Sequence, residues 1–99
     1  MRVLRVDVAT GSWTEPFDAQ AVLGGLVTDL AGIVFEPTHR NLVLLSQESR
    51  LLIQTTPGGV LLGRTMRIEG AQPEGVALSP DGRAMYVISE PNQVHEYRR

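Results

Sequence analysis

An internal repeat constrains what this chain can fold into more than any other feature of its sequence. Four identical residues recur at a constant offset of 43 positions: Gly32/Gly75, Pro37/Pro80, Arg40/Arg83 and Ser46/Ser89. Apolar positions follow the same offset without a gap: Ile33/Val76, Phe35/Leu78, Leu42/Met85, Leu44/Val87, Leu45/Ile88 and Leu51/Val94. A period of about 40–45 residues with several short strands per unit is typical of β-propeller blades. The sequence therefore predicts an all-β chain of about two four-stranded antiparallel blades.

Turn residues place the strands, here called A to D, within each unit. The motif Ser79-Pro80-Asp81-Gly82-Arg83 predicts a tight hairpin, because Pro presets φ, Asp bonds to its own backbone and Gly accepts a left-handed conformation. Pro57-Gly58-Gly59 predicts another hairpin. The first unit then has strands at residues 32–36, 42–46, 50–55 and 60–68, and the second at residues 75–79, 85–89 and 93–97.

The residues before the first unit are predicted to belong to a preceding one. Residues 3–8 and 14–21 are assigned as its C and D strands. Residues 1–28 thus hold these strands and a connection, residues 29–71 form the first full blade, and residues 72–99 form a second blade that lacks its outer strand. Helices are not expected, because no apolar stripe of helical period exceeds two turns without meeting Gly or Pro.

Composition and patterning exclude several kinds of function. The chain has no cysteine, which rules out disulfides, thiol catalysis and cysteine-based zinc sites. A formal net charge of −2 gives no electrostatic reason to expect nucleic acid as a partner. The amino terminus alternates apolar and charged residues, and apolar runs such as residues 42–45 are short. Neither a secretory signal nor a membrane span is therefore predicted in this chain.

No arrangement of catalytic residues stands out. Ser46, Ser89, His39 and His95 form no recognisable triad, and there is no Gly-x-Ser-x-Gly nucleophile motif. Two isolated histidines are too few for a zinc site. The sequence favours a binding module over an enzyme, and no catalytic residue is assigned.

Four carboxylates are predicted to meet at one end of the blades. Because strands A and B are antiparallel, the connection into A lies beside the turn after B. Asp29 and Glu74 precede the A strands, and Glu48 and Glu90 follow the B strands. With Asn92 and backbone carbonyls, these oxygens suit a hard cation such as Ca²⁺. The alternative is that the carboxylates only bond to backbone amides and build turns.

The same end could instead serve a phytase-like or lactonase-like hydrolase. Phytase-like chemistry needs bridging calcium ions and a basic residue that holds phosphate. Arg50, two residues after Glu48, is the candidate for that role. The alternative is that Arg50 is an exposed residue at a strand edge.

Two stretches of the chain resemble a known family. They are Asp29-Leu30-Ala31-Gly32 with Leu42-Val43-Leu44-Leu45-Ser46-Gln47-Glu48, and Gln72-Pro73-Glu74-Gly75 with Ser89-Glu90-Pro91-Asn92. These residues are similar to the last two blades of the SdiA-regulated family of bacterial β-propellers, of the YjiK/CarP type. The resemblance covers roughly residues 29–97 and places the chain in the carboxy-terminal third of the longer members.

The resemblance implies a bacterial envelope protein, of the periplasm or plasma membrane, with a link to calcium responses and a phytase-like activity. The chain departs from the family at Ala31, where members usually have Ser, and at Gln47, where they usually have Asp. The aromatic ending of strand C is reduced to Tyr97. If the family's acidic residue at position 47 binds a cation, this chain lacks that ligand.

Two blades alone are expected to expose apolar faces on both sides, and such faces favour association. One solution is a six-bladed ring of three chains, with residues 14–21 of each chain donated to the neighbour's incomplete blade. The other is that upstream blades cover these faces.

Overall fold

The structure is a computed structural model that describes residues 1–69 and 72–98, without the side chain of Arg64. Residue 71, where the first predicted blade ends, lies outside the described residues. The elements are β1 (Arg5–Val6), β2 (Trp13–Thr14), α1 (Ala19–Leu23), β3 (Gly32–Glu36), β4 (Asn41–Ser46), β5 (Leu51–Thr55), β6 (Leu61–Arg67), β7 (Gln72–Leu78), β8 (Ala84–Glu90) and β9 (Gln93–Arg98). Every strand pair is antiparallel, which confirms the predicted all-β class.

The two repeat units form two separate blade-like sheets, called here the first blade (β3–β6) and the second blade (β7–β9). Each is a meander in which consecutive strands pair, as the turn chemistry predicts. Gly32 pairs with Leu45 in the first blade and Gly75 pairs with Ile88 in the second, so both A–B hairpins keep the offset of 43. The strands predicted in both units are thereby confirmed, with small differences at their ends.

The turn between strands B and C breaks the offset. Ser46 pairs with Leu51, whereas Ser89 pairs with Gln93, so the second turn is one residue shorter and the offset falls from 43 to 42. The predicted match of Leu51 with Val94 is therefore wrong, because Val94 occupies the position of Leu52. The change of offset could not be predicted from the sequence, because Leu51 and Leu52 are both apolar and either of them matches Val94.

The blades stack face to face because side chains alternate along each strand. The front face of the first blade packs on the back face of the second. The front face comprises Val34, Val43, Leu45 and Leu52, and the facing residues are Val76, Met85, Val87 and Tyr97. Since both faces of β4 are covered, its sequence is apolar without alternation.

Residues 1–28 cover much of the back face of the first blade. Phe17, Ala19 and Leu23 are buried there against Leu44 and Ile53. The expectation that both outer faces are bare is therefore wrong for the part of this face around Leu44 and Ile53, while Ile33 and Phe35 on β3 stay exposed. None of the described helices is long and apolar enough to cross a membrane.

The strand predicted at residues 14–21 is wrong beyond Thr14, because α1 begins at Ala19. Asp18 caps this helix by accepting the amide of Ala21 at 3.1 Å. Helical spacing then turns Ala19 and Leu23 to the same buried side. Of residues 3–8, only Arg5–Val6 is strand. The assignment of residues 1–28 to a preceding blade stays a prediction.

Candidate functional site

The connection into strand A and the turn after strand B meet at one end of the first blade, as the antiparallel pairing predicts. The carboxylate of Asp29 accepts the backbone amides of Gln47 and Glu48, each at 3.1 Å. It also accepts the hydroxyl of Ser46 at 2.5 Å. This end of the blades, formed by residues 28–31, 47–50, 72–74 and 90–92, is called the acidic end below.

Asp29 organises the B–C turn of the first blade. The hydroxyl of buried Ser46 donates to Asp29 and accepts the amide of Ser49 at 3.1 Å, so the two side chains bridge the turn. Hydrogen bonds to a charged acceptor are stronger than neutral ones. The geometry therefore agrees with the turn-capping alternative for this carboxylate.

The second blade does not repeat this arrangement. Gln72 stands at the position of Asp29, and Glu74 lies in a bulge of β7 between Pro73 and Gly75. Ser89, the counterpart of Ser46, is buried, and its hydroxyl has no hydrogen-bond partner among the described residues. The two blades thus share the A–B hairpin, but they differ in the length of the B–C turn and, among the described residues, in the polar contacts of the acidic end.

The other predicted carboxylates are exposed. Glu48, Glu74 and Glu90 all lie on the surface, and Glu48 accepts the hydroxyl of Thr28 at 2.5 Å. Glu90 pairs with Gln72 across the sheet, so it lies beside the connection into β7. Over residues 1–69 and 72–98, no three Asp, Glu or His side chains come close enough together to hold a metal ion. Calcium binding by the four carboxylates therefore stays a prediction.

Arg50 and Asn92 have backbone roles in the two B–C turns. Both are exposed and take a positive φ, 52° and 56° respectively, immediately before the next strand. Asn tolerates this conformation better than most residues, while Arg50 adopts it at some cost. Arg50 was expected to begin strand C, but β5 begins one residue later because of this conformation.

Sequence reasoning missed a buried carboxylate at the opposite end. Glu36 is 3% exposed and accepts the amides of Thr38 and His39, both at 2.8 Å. The Nδ1 of His39 lies 3.1 Å from the same carboxylate. The available signal was that Glu36 replaces Ser79 at the start of the A–B turn, where a side chain must bond to the turn amides.

Glu36 also lies against the second blade. A Cβ atom on Gly82 would be 3.3 Å from its Oε1, so the two A–B turns touch. Burial alone would raise the pKa of Glu36. The amides of His39 and Thr38, followed by their side chains, outweigh burial and lower that pKa below its ordinary value.

Glu36→Gln is expected to destabilise the chain near neutral pH and to reduce its loss of stability in acid. The folded-state pKa of Glu36 lies below the unfolded one, so the carboxylate stabilises the fold above the unfolded pKa. That contribution disappears as the pH falls through the folded pKa. Urea titrations at about pH 7 and about pH 3 measure the difference in unfolding free energy.

Glu15→Gln is the control, since Glu15 is exposed and pairs with exposed Arg2. It should keep the acid sensitivity of the parent. If Glu36→Gln lost as much stability in acid as the parent does, the assigned role would be incorrect.

Two antiparallel blade-like sheets, stacked face to face and related by a repeat, are consistent with the blades of a propeller-type domain. A family model described as SdiA-regulated matches residues 8–98. The chain therefore belongs to the SdiA-regulated family, which confirms the resemblance seen in its sequence. This membership supports a propeller-type domain.

Proposed function

We propose that this chain is a propeller-type binding module that takes calcium at its acidic end. The observation that carries the proposal is the location of Glu48, Glu74 and Glu90, which are exposed at one end of the two stacked sheets. Among the described residues, none of these three forms a salt bridge. Glu48 lies on a turn, Glu74 in a strand bulge and Glu90 at a strand end, and exposed carboxylates at such positions are suitable ligands for a hard cation.

Asp29 has a supporting role in this proposal. Its carboxylate is occupied by Ser46 and by two turn amides. It holds the backbone of Glu48 and would place that side chain for binding. Calcium prefers six to eight oxygen ligands, so carbonyls, water and the Asn92 amide oxygen would complete its coordination.

A calcium titration followed by thermal unfolding tests the proposal. Calcium at about 100 times its Kd should stabilise the chain by about 2.7 kcal/mol, because it binds only the folded state. The double variant Glu74→Gln/Glu90→Gln should lose this response. Glu96→Gln should keep it, since Glu96 lies within β9 and bonds to Arg98. No stabilisation of the parent by millimolar calcium would rule out the proposed site.

The hydrolase alternative draws support from Arg50, which is exposed in the B–C turn at the acidic end. The candidate nucleophiles support it less, because Ser46 and Ser89 are both buried. His39 contacts Glu36 at the opposite end of the blade. Phosphate release from phytate that requires both calcium and Glu74 would favour hydrolysis over binding alone.

A further inference from the structure

We propose that copies of this chain associate head to tail. In this assembly, the front of the second blade of one copy sits on the inner back groove of the next copy. The second-blade front comprises Gly75, Ala77, Tyr86, Ile88 and Val94. The inner back groove comprises Leu4, Ile33, Phe35 and Leu42. The association is independent of the proposed calcium site.

The second-blade front is an uncovered copy of a face that is buried elsewhere in the same chain. Ile88 corresponds to Leu45, and Val94 corresponds to Leu52 after the shorter turn. Leu45 and Leu52 are only 0% and 4% exposed beneath the second blade, whereas Ile88 and Val94 are 54% and 67% exposed. The front of the second blade thus has the chemistry of a blade interface and is exposed among the described residues.

The inner back groove is the matching uncovered surface at the other side of the stack. Ile33 and Phe35 on β3 are 51% and 44% exposed, although their counterparts Val76 and Leu78 on β7 are partly buried. The difference arises because residues 1–28 bury Leu44 but only border β3, whose Ile33 and Phe35 side chains stay about half exposed. A cavity of about 390 Å³ lies there, with Ile33, Phe35 and Leu42 in its wall.

A glycine makes the fit between the two surfaces specific. Within the chain, a Cβ on Gly32 would lie 3.4 Å from Cγ1 of Val76, so this glycine lets the next blade approach closely. Gly75 occupies the same position on the second-blade front, and none of the residues that the structure describes would lie within 4 Å of a Cβ there. By the repeat, the side chain that would fill this space is the counterpart of Val76, which is Ile33 of a second copy.

The two surfaces lie on opposite sides of a stack formed by residues 1–28, the first blade and the second blade. A contact between unlike surfaces is heterologous, so it extends into a ring or an open chain of copies. No exchange of strands is needed. Phe17, Ala19 and Leu23 remain in their own core, unlike in the ring with donated residues 14–21.

The experiment measures the mass of the full chain by sedimentation or light scattering. The parent should form species larger than a monomer. Ile88→Asp places a charge in the second-blade front, and Ile33→Asp places a charge in the inner back groove. Each variant alone should therefore be monomeric. An equimolar mixture of the two should form a heterodimer, because each retains the surface that the other lacks. Circular dichroism verifies that both variants are folded.

Two further variants test the glycine contact and provide a control for an added surface charge. Gly75→Val should fold, since no described residue lies within 4 Å of a Cβ at this position, and should weaken association at least tenfold by filling the space for Ile33. Val60→Asp, at an exposed position between β5 and β6, should assemble like the parent. The proposal is overturned if the parent is monomeric, if the mixture stays monomeric, or if Val60→Asp disrupts assembly as strongly as Ile88→Asp.

Discussion

Gly59→Ala is expected to destabilise the chain by about 2–4 kcal/mol, through backbone strain and overpacking together. Gly59 has a φ of +90°, a backbone conformation that residues other than glycine rarely adopt. A Cβ at this position would also overlap the ring and Cβ of Phe17. Phe17 is buried among the residues that cover the back of the first blade, so it has no room to move aside.

Gly58→Ala is the matched control for this change. Within the described part of the chain, a Cβ on Gly58 would have only Thr56 Oγ1 near it, at 4.0 Å, and the φ of Gly58 is not positive. Its effect should stay within about 0.5 kcal/mol. Urea denaturation of both variants measures the difference in unfolding free energy. Similar losses for the two glycines would show that residues 57–59 do not contact Phe17 as described.

Asp29→Ala is expected to cost about 2–3 kcal/mol of stability in the absence of calcium. The change leaves the hydroxyl of Ser46 buried without its acceptor and removes the partner of two turn amides. Gln72→Ala, at the equivalent position of the second blade, should cost less than about 0.5 kcal/mol because Gln72 is exposed.

A double-mutant cycle separates the contact from general effects of truncation. Asp29→Ala and Ser46→Ala should together cost less than the sum of their separate losses, by about 1 kcal/mol. Additive losses would indicate that the two side chains do not act as a unit. A loss for Asp29→Ala no greater than for Gln72→Ala would instead remove Asp29 from its structural role.

These results would also refine the calcium proposal. A large effect of Asp29→Ala without calcium would mean that this carboxylate positions the turn, and that Glu48, Glu74 and Glu90 are the remaining ligand candidates. Retention of the calcium response in Asp29→Asn would assign binding to those exposed carboxylates. The two roles of the acidic end can thus be measured separately.

Much of the fold could be predicted from the sequence, because its signals are local. The turn motif at Ser79–Arg83 and the repeated apolar positions place six strands close to their observed positions. The antiparallel order of strands A and B was enough to bring Asp29 beside Glu48. The sequence thus predicted correctly that Asp29 and Glu48 lie together at one end of the first blade, whereas a binding site formed by the four carboxylates stays a prediction.

The remaining features depended on contacts between distant residues. Residues 19–23 are helical because Asp18 caps them and the back of the first blade buries Ala19 and Leu23. A five-residue helix has too few internal hydrogen bonds to be stable by itself, so it is difficult to predict from the sequence alone. Glu36 bonds to nearby amides, but it is also packed against Gly82 of the second blade, and no local pattern predicts that contact.

By itself, then, the sequence determined the repeat, the strands and the end at which the acidic residues lie, since these follow from alternation and turn chemistry. Only the tertiary structure decided which side chains are satisfied and which faces are covered. Ser46 and Ser89 are identical residues at equivalent positions, yet Ser46 donates to a carboxylate and Ser89 has no hydrogen-bond partner among the residues described. Burial and hydrogen bonding are properties of the whole packed chain, so equal residues acquire unequal roles.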